Sequence, residues 1–316
     1  MSARDGALHA KRAALVVNAA SRTGQEAYEE ARRRLEAGGL TLAETHPLQD
    51  PARMADVVRD LIDGGVDLVV MGGGDGTINC VSSLLQDPEV VLGLLPLGTA
   101  NDFARTVGVP FDLGEACDTI LTGEVVDVDL GMLGGRRFVN VAQVGLAVGV
   151  TRLMDDRVKK VFGSAAYPLT ALVAFARHRP FSVHLEFPDG DADDVDIDDL
   201  LQVAVGSGVY YGGGNAVAPF AAIDDRALDV YAIPRGGLRR RWHVLRWFRS
   251  GRFVESEEVY HTRTRRVRVV ADPPQAVSID GELVEPEDLD SDLFEVRADA
   301  LRVIAPRTSE AARLDD

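Results

Sequence analysis

Short apolar runs alternate with helical segments over residues 13–130, and this alternation constrains the fold more than any other feature of the sequence. Strands are predicted by the runs at 14–17, 40–45, 67–71 and 90–97. Helices are predicted between them, at 25–37, 51–63 and 77–85. Strands that alternate with helices of this length form an open parallel sheet covered by helices. We therefore predict an open, three-layer α/β domain over residues 1–129.

The pattern changes after about residue 130. Predicted strands now follow one another with few helices between them, at 138–144, 181–187, 201–206, 228–233, 267–271 and 275–279. Two helices are predicted in this part, at about 150–178 and 237–250. We therefore predict a second, mainly antiparallel β-sandwich-like domain over residues 130–297. The last apolar run, at 301–305, would return residues 298–316 to the first domain, which the sequence alone leaves open.

Acidic residues outnumber basic ones, with 50 Asp and Glu against 34 Lys and Arg and a formal charge of −16. We expect no nucleic-acid partner, because phosphate contacts need a basic face. Cys80 and Cys117 are far apart, so neither a disulfide framework nor a thiolate metal site is expected. The N-terminus lacks a signal-peptide core, and no uncharged apolar run reaches the roughly 18 residues of a membrane span. The expected location is therefore the cytoplasm.

The string VVMGGGDGTIN, residues 69–79, reads as a buried strand, a glycine-rich turn and a helix start. Consecutive glycines let backbone N–H groups approach phosphate oxygens, and the helix N-terminus adds partial positive charge. Asp75 would repel phosphate in such a turn unless a cation lies between them, and Mg²⁺ would resolve this conflict. The string is neither a Walker A loop nor a dinucleotide fingerprint. It predicts a phosphate site, with an ordinary tight turn as the alternative.

A second glycine loop follows in GLLPLGTANDFAR, residues 93–105. A buried strand again ends in Gly-Thr and enters a helix with polar residues in its first turn. Neighbouring strands that end in such loops converge on one crevice at their carboxyl ends. Helix capping alone would explain Thr99, Asn101 and Asp102. It would not explain why the second loop is built like the first.

The two strings together resemble the diacylglycerol kinase catalytic-domain family, especially its soluble bacterial lipid kinases. Sphingosine, ceramide and NAD kinases are more distantly similar. The resemblance continues in family order through GSGVYYGGG at 206–214, Ala218-Pro219, DDRALDV at 224–230 and IDGE at 279–282. It implies an ATP-dependent lipid kinase with a nucleotide-binding α/β domain followed by a lipid-substrate domain.

The resemblance also implies roles for single residues. Asp75 and Asp102 would organise Mg²⁺ and water around the phosphates of ATP. Glu282 matches the family's general base, and Asp280 lies beside it; without the resemblance, Asp-Gly predicts only a surface hairpin turn. The catalytic set is thus Glu282, Asp280 and Asp75. The implied nucleotide contacts are Thr45, Gly72, Gly73, Gly74, Asp75, Gly76, Thr77, Asn79, Gly98, Thr99, Asn101 and Asp102.

A structural Mg²⁺ is implied as well. It would be bound by the carboxylate of Asp225 and the backbone carbonyls of Ala222 and Ala227. Arg226 replaces a turn glycine of the family here, which would require a left-handed arginine or alter the metal loop.

Two further positions depart from the family pattern. Cys80 stands where a Glu is usual, and a thiol cannot replace a carboxylate in a water–metal network. Arg22 lies in a loop that usually reads Asn-Pro-x-Ser-Gly, where it would either meet phosphate or be exposed. Cys80 therefore favours, as the alternative from a different class, a nucleotide-binding regulator with weakened catalysis.

Basic residues are concentrated in the segment RGGLRRRWHVLRWFRSGR, residues 235–252, which has seven arginines, no acid and both tryptophans. Such a segment suits the headgroup region of an anionic membrane. The alternative is a helix that packs its aromatic side chains on the β domain. Peripheral contact with the inner membrane surface is predicted through Arg239, Arg240, Arg241, Trp242 and Trp247.

The predicted reaction transfers a phosphoryl group from ATP to a lipid hydroxyl, with diacylglycerol as the first choice of acceptor. A sphingoid base, another lipid alcohol or NAD are the alternative acceptors. The sequence leaves the acyl-chain preference and the oligomeric state open, a homodimer included.

Overall fold

A computed structural model describes most of the chain. The basic segment beyond residue 236 lies outside the described part, and so do the predicted metal ligand Ala222 and all five predicted membrane contacts. The described residues are 12–85, 90–153, 166–211, 214–216, 223–236 and 259–309.

The N-terminal part is a parallel sheet with the strand order β2-β1-β3-β4. Its strands are β1 Ala13–Asn18, β2 Leu42–Leu48, β3 Leu68–Gly73 and β4 Val91–Pro96. Its helices are α1 Arg22–Ala37, α2 Met54–Asp63, α3 Asp75–Ser82, α4 Asp102–Val107 and α5 Leu113–Thr122, with a short 3-10 helix at Pro51–Arg53 before α2.

The winding of this sheet reverses at β1. Helix α1 leads to β2 on one side of β1, and α2 leads back to β3 on the other side. Because strand–helix–strand crossovers are right-handed, the reversal places α1 and α2 on opposite faces of the sheet. It also leaves a crevice at the carboxyl ends of β1 and β3, where open α/β sheets bind ligands.

The C-terminal part is mainly antiparallel, as predicted, so the fold class is confirmed. In the described residues of this part, the helices α6 Leu146–Leu153 and α7 Ala166–Arg177 lie in the region where one helix was predicted at 150–178. A 3-10 helix covers Pro286–Asp288. The first strands are β5 Glu124–Leu133, β6 Arg136–Phe138, β7 Val141–Gly145, β8 Phe181–Glu186, β9 Val195–Gly206, β10 Tyr210–Tyr211 and β11 Asn215–Ala216. The later ones are β12 Leu228–Pro234, β13 Tyr260–Thr264, β14 Arg266–Asp272, β15 Val277–Ile279, β16 Glu282–Val284 and β17 Leu293–Ala305.

Strand β17 joins the two parts. Its first half pairs antiparallel with β14, while Arg302 and Val303 pair parallel with β4. Strand β5 pairs antiparallel along β17, with a register shift between Arg297 and Leu301. Strand β17 thus connects the antiparallel strands and the parallel strands in one continuous sheet. The boundaries at residues 129 and 297 stay predictions, because β5 and β17 run across both.

Each part buries its own apolar cluster. The first surrounds β3, whose six residues are all buried, and includes Leu15 and Phe103. The second includes Phe138 and Phe294, whose rings meet edge to face at 6.4 Å. Among the described residues, none of the helices is long and apolar enough to cross a membrane.

Candidate active site

The two glycine loops touch at the carboxyl ends of β3 and β4. A Cβ atom on Gly98 would lie 2.4 Å from the Cα of Gly74, and one on Gly74 would lie 3.0 Å from the Cα of Gly98. Real Cβ atoms do not approach backbone atoms this closely, so only glycine allows the contact. The predicted convergence of the two loops on one crevice is therefore confirmed.

Asn101 holds the second loop in shape. Its Oδ1 accepts a hydrogen bond from the Gly98 backbone N–H at 2.9 Å, and its Nδ2 donates to the Gly98 carbonyl oxygen at 2.9 Å. Its backbone is left-handed, with φ 52°, a conformation that asparagine tolerates better than most residues. Because the side chain is used in this way, Asn101 makes no capping bond to helix α4.

Asp75 supplies the cap of α4 that Asn101 does not make. Its Oδ1 accepts a hydrogen bond from the Phe103 backbone N–H at 3.0 Å. A carboxylate at a helix N-terminus satisfies a free donor and interacts favourably with the helix dipole. Within the described part of the chain, the Oδ2 atom of Asp75 has no hydrogen bond. One oxygen of Asp75 therefore has a structural partner, and the other is available to a ligand.

Asp102 ties the first domain to the second. Its side chain is only 3% exposed. Its Oδ1 accepts a hydrogen bond from the Gly214 backbone N–H at 2.7 Å, in the glycine-tyrosine loop between β10 and β11. Gly214 has a positive φ of 83°. The carboxylate that the resemblance assigns to Mg²⁺ organisation thus also positions a loop of the second domain.

Asp280 and Gly281 form the two-residue turn between β15 and β16. Both have positive φ, 45° and 89°, as a type I′ hairpin turn requires. The Asp280 carboxylate accepts hydrogen bonds from three backbone N–H groups, those of Val139 at 2.7 Å, Asn140 at 3.1 Å and Val141 at 2.9 Å. The turn is therefore a hairpin, as its sequence alone predicts, but its aspartate is fixed to the chain just before β7.

The carboxyl group of Asp280 is close enough to Asp75 for their charges to interact. Burial raises the pKa of Asp280 to about 6 against the opposing effect of its three backbone hydrogen bonds, and the negative charge of Asp75 raises it further. Glu282 begins β16, two residues along the same hairpin, and is exposed. Glu282 thus belongs to the hairpin whose aspartate interacts with Asp75, and its place relative to the glycine loops stays a prediction.

This pKa predicts how stability depends on pH. Between about pH 4 and 6 the folded chain keeps a proton on Asp280 that the unfolded chain releases, so this group lowers the free energy of unfolding as pH rises. Asparagine does not titrate, so the free energy of unfolding of Asp280→Asn should fall by about 2 kcal/mol less than that of wild type as pH rises. The figure is smaller than the pKa shift alone would give, because the side chain is only partly buried. Urea unfolding of both proteins at pH 4.5 and 6.5 measures it. Equal pH dependence in the two proteins would contradict the prediction.

Two adjoining cavities lie along the crevice. Their volumes, about 410 Å³ and about 290 Å³, are typical of ligand pockets. Asn18 and Gly74 line both, so the cavities form one cleft between β1 and β3. The larger is lined by Asn18, Ala20, Ser21, Thr23, Gly24, Ala27, Gly73, Gly74, Leu97 and Gly98. The smaller is lined by Asn18, Pro51, Met54, Gly74, Gly76, Thr77 and Cys80.

Several predicted contacts line this cleft and others do not. Thr45 lies on the edge strand β2, where its hydroxyl accepts a hydrogen bond from Tyr28 at 2.9 Å, and it lines neither cavity. Gly72 is buried in β3, where a Cβ would lie 2.9 Å from Val17. Thr99 is exposed on the second loop, and Asn79 is half-buried on α3. Their roles toward a nucleotide stay predictions. The predicted residues that line the cleft are Gly73, Gly74, Gly76, Thr77 and Gly98.

The cleft residues that the motifs did not predict lie at the end of β1 and in the loop after it. Asn18, Ser21 and Thr23 line the larger cavity. The Ser21 hydroxyl accepts a hydrogen bond from the Gly24 backbone N–H at 3.1 Å and so caps α1. Small polar residues after the first strand were the available signal. Arg22 in the same loop is exposed and lies 3.4 Å from Glu26.

The predicted structural Mg²⁺ site is described in part. Arg226 is left-handed, with φ 57°, as its place in a glycine position required. Its backbone N–H donates to Asp129, and its guanidinium pairs with Asp299 at 2.9 Å. The Asp225 Oδ1 accepts a hydrogen bond from the Ala227 backbone N–H at 3.0 Å. The loop therefore accommodates the arginine without losing its turn.

A guanidinium occupies the charged side of this loop. Arg263 forms an ion pair with Asp225, the one carboxylate ligand predicted, and its Nε lies 3.8 Å from the buried carboxylate of Asp229. A divalent ion would have to displace this guanidinium and would be repelled by it. In the described ranges, no group of three or more His, Cys, Asp or Glu side chains is arranged for a metal ion. With Arg263 in this place, the described part of the loop does not fit Mg²⁺.

We expect removal of divalent ions to leave the melting temperature of the free protein unchanged. The reason is that the guanidinium of Arg263 already forms an ion pair with Asp225 and lies 3.8 Å from the carboxylate of Asp229. Arg263→Ala should lower the free energy of unfolding by about 2 kcal/mol, because it leaves the buried charge of Asp229 without this partner. Thermal unfolding in EDTA and in MgCl₂ measures both effects. Arg265→Ala, two residues further and exposed, is the matched control. A wild-type protein that melts earlier in EDTA would contradict this expectation.

Two family matches cover most of the chain. Residues 12–133 match the diacylglycerol kinase catalytic domain. Residues 140–305, more than half of the chain, match the YegS C-terminal NAD kinase beta sandwich-like domain.

Similar proteins agree with these matches. The probable lipid kinase YegS-like of Pseudomonas fluorescens strain Pf0-1 is 33% identical over 259 residues, which cover 80% of each chain. The diacylglycerol kinase of Bacillus subtilis strain 168 is 31% identical and covers 68% of this chain and 71% of its own. A crystal structure of a diacylglycerol kinase from Bacillus anthracis strain Sterne has a TM-score of 0.74 at 22% identity, covering 96% of this chain and 99% of that one.

The fold, the paired glycine loops and these matches lead to one conclusion. The chain belongs to the diacylglycerol kinase catalytic-domain family. The resemblance found in its motifs is thereby confirmed.

Proposed function

We propose that this chain is an ATP-dependent lipid kinase that phosphorylates the hydroxyl of diacylglycerol to form phosphatidic acid. The observation that carries the proposal is the contact between Gly74 and Gly98, with Asp75 at the junction. This contact brings the first turns of α3 and α4 together, with a free oxygen of Asp75 at the junction, beside the cleft that Gly74 and Gly98 line. The names of the Bacillus and Pseudomonas relatives support a lipid as acceptor.

The backbone N–H groups at the start of α3 would bind the phosphates of ATP. Mg²⁺ bound with ATP would offset the negative charge of the phosphates, as phosphoryl transfer generally requires. Asp75 would face that ion or its water with Oδ2, while Oδ1 keeps its bond to the Phe103 N–H. Asp102 would act from the other loop, where it also holds Gly214.

Glu282 would act as the general base. It is exposed on a hairpin that Asp280 fixes by three hydrogen bonds, so its position is set by the fold although its side chain is accessible. The lipid oxygen would form a bond to the γ-phosphorus while the bond to the β–γ bridging oxygen breaks. The hydroxyl proton would pass to Glu282, and ADP would leave.

Transfer of radiolabel from ATP to a panel of acceptors tests the proposal. The panel holds diacylglycerol, a sphingoid base and NAD. We expect label in diacylglycerol, and loss of labelling in Glu282→Ala. Label in the sphingoid base or in NAD instead would mean that this compound, and not diacylglycerol, is the acceptor. Label in none of the three, with intact ATP binding, would contradict a kinase with these acceptors.

The second candidate, a nucleotide-binding regulator with weakened catalysis, is favoured by Cys80. This residue is exposed and lines the smaller cavity, so the thiol lies at the nucleotide cleft itself. Cys80→Glu separates the candidates, with Cys80→Gln as a control of equal size without charge. A restored carboxylate should raise turnover on the order of tenfold if its absence limits catalysis. Equal turnover in the two variants would mean that the departure at Cys80 is harmless.

Membrane contact is part of the proposal, because a soluble enzyme must reach its lipid at a surface. Replacing Arg239, Arg240 and Arg241 by Glu should reduce binding to anionic vesicles without reducing ATP binding. Co-sedimentation with phosphatidylglycerol vesicles measures this, and phosphatidylcholine vesicles are the control. Unchanged sedimentation with the anionic vesicles would exclude this segment as the contact.

A further inference from the structure

Arg105 is a partly buried cation that has no anionic partner among the described residues. It lies on α4, three residues after Asp102. Its Nε is buried and has no hydrogen-bond partner. Within the described part of the chain, its guanidinium forms neither a hydrogen bond nor an ion pair. Carboxylates are abundant in this chain, with 50 Asp and Glu, and other partly buried arginines use them, as Arg302 does with Asp127. In the described ranges, Arg105 is thus an exception among the partly buried arginines, and a ligand could supply the anion.

Two aromatic rings hold this guanidinium in place. Its central carbon lies 4.5 Å from the centroid of Phe111 and 5.6 Å from the centroid of Tyr210. Cation–π contacts of this kind are worth about 0.5–2 kcal/mol, and they orient the plane of the guanidinium. They engage its faces, and no acceptor from the described ranges meets the N–H donors at its edge. The side chain is thus pre-organised for a ligand that accepts several hydrogen bonds in one plane.

The position of the guanidinium places it on the second-domain side of the cleft. A Cβ on Gly214 would lie 3.1 Å from both Cζ and Nε of Arg105. The Gly214 backbone N–H donates to Asp102, so Arg105 and Asp102 meet the same loop. Arg105 lines neither of the cavities around Gly74. Its guanidinium contacts Tyr210 and Gly214, both in the glycine-tyrosine loop of the predicted lipid-substrate domain, and these contacts indicate the acceptor side of the site.

We propose that Arg105 binds the phosphoryl group on the acceptor side, which after transfer is the phosphate monoester of the lipid product. This inference rests on the proposed function and names the group that the acceptor side of the site recognises. A guanidinium matches the oxygens of a phosphate with two parallel N–H···O bonds, which a neutral alcohol cannot accept. The residue thus distinguishes phosphorylated from unphosphorylated lipid.

Binding of water-soluble lipids by calorimetry tests the proposal without turnover. The probes are dihexanoyl phosphatidic acid and, as the neutral control, dihexanoyl glycerol. Arg105→Gln should weaken binding of the phosphatidic acid about 10- to 100-fold, because a charge-assisted hydrogen bond is lost. Arg105→Lys should weaken it less, because it keeps the charge but not the fork. Affinity for dihexanoyl glycerol and for ADP should stay unchanged.

Two results would overturn the proposal. One is equal affinity for phosphatidic acid in wild type, Arg105→Gln and Arg105→Lys. The other is a parallel loss of ADP affinity in both variants, which would make Arg105 a nucleotide contact. Phe111→Leu is the control for folding at this site, because it removes one ring and keeps the guanidinium. It should retain most of the affinity for phosphatidic acid. If the wild-type protein transfers no label to lipid but binds phosphatidic acid through Arg105, the proposed kinase function is wrong and the proposed role of Arg105 still holds.

Discussion

Asp75→Asn is expected to lower kcat on the order of 10²- to 10³-fold while the melting temperature stays within about 1 °C of wild type. The amide keeps an oxygen for the Phe103 N–H, which the Oδ1 of Asp75 binds at 3.0 Å. It loses the negative charge that the proposed mechanism places beside the ion bound with ATP. The substitution therefore separates the chemical role of Asp75 from its role as the cap of α4.

Asp75→Ala is the matched variant. It removes both the charge and the cap, so it should lose as much activity and also about 1 kcal/mol of stability. For a chain of this size that is a decrease of about 2–4 °C in melting temperature. Steady-state kinetics and thermal unfolding of both variants measure the two effects. Full activity of Asp75→Asn would contradict the proposed role, and equal melting of the two variants would contradict the cap.

The general position of the site could be predicted from local sequence. The strands that precede Gly74 and Gly98 are parallel neighbours, and such strands bring their carboxyl ends to one edge of the sheet, so the loops converge. The hairpin at Asp280 could also be predicted, because the dipeptide Asp-Gly favours a type I′ turn. In each case the information lies within a few residues of the feature.

The partners of the carboxylates could not be predicted in this way. Asp280 bonds to the backbone of Val139, Asn140 and Val141, about 140 residues earlier in the chain. Asp225 lies just before β12 and forms its ion pair with Arg263 on β13. These contacts depend on strand order and register, which periodicity does not report. The ion pair between Arg263 and Asp225 could not be predicted for this reason. Nothing in the sequence around Asp225 indicates which distant arginine will lie beside it.

Gly98→Ala and Gly76→Ala are expected to have opposite effects on stability. A Cβ on Gly98 would meet the Cα of Gly74 at 2.4 Å and the Oδ1 of Asn101 at 2.7 Å. The first is a backbone atom, and the second is held by the two hydrogen bonds between Asn101 and Gly98. The loops would have to separate, at a cost of about 1–3 kcal/mol in the free energy of unfolding. Nothing lies within 4 Å of a Cβ on Gly76. Alanine there should keep stability or raise it by up to about 1 kcal/mol, because it favours the helix.

Both substitutions should nevertheless weaken ATP binding, for different reasons. Gly98→Ala would move the two loops apart, whereas Gly76→Ala would put a methyl group into the space of the smaller cavity. Thermal unfolding together with calorimetric titration of an ATP analogue separates the two causes. Loss of affinity in Gly76→Ala without loss of stability would identify that cavity as a phosphate site, because only a ligand is displaced. Unchanged affinity in Gly76→Ala would mean that ATP binds elsewhere, and a melting temperature of Gly98→Ala equal to wild type would mean that the loops are not in contact in solution.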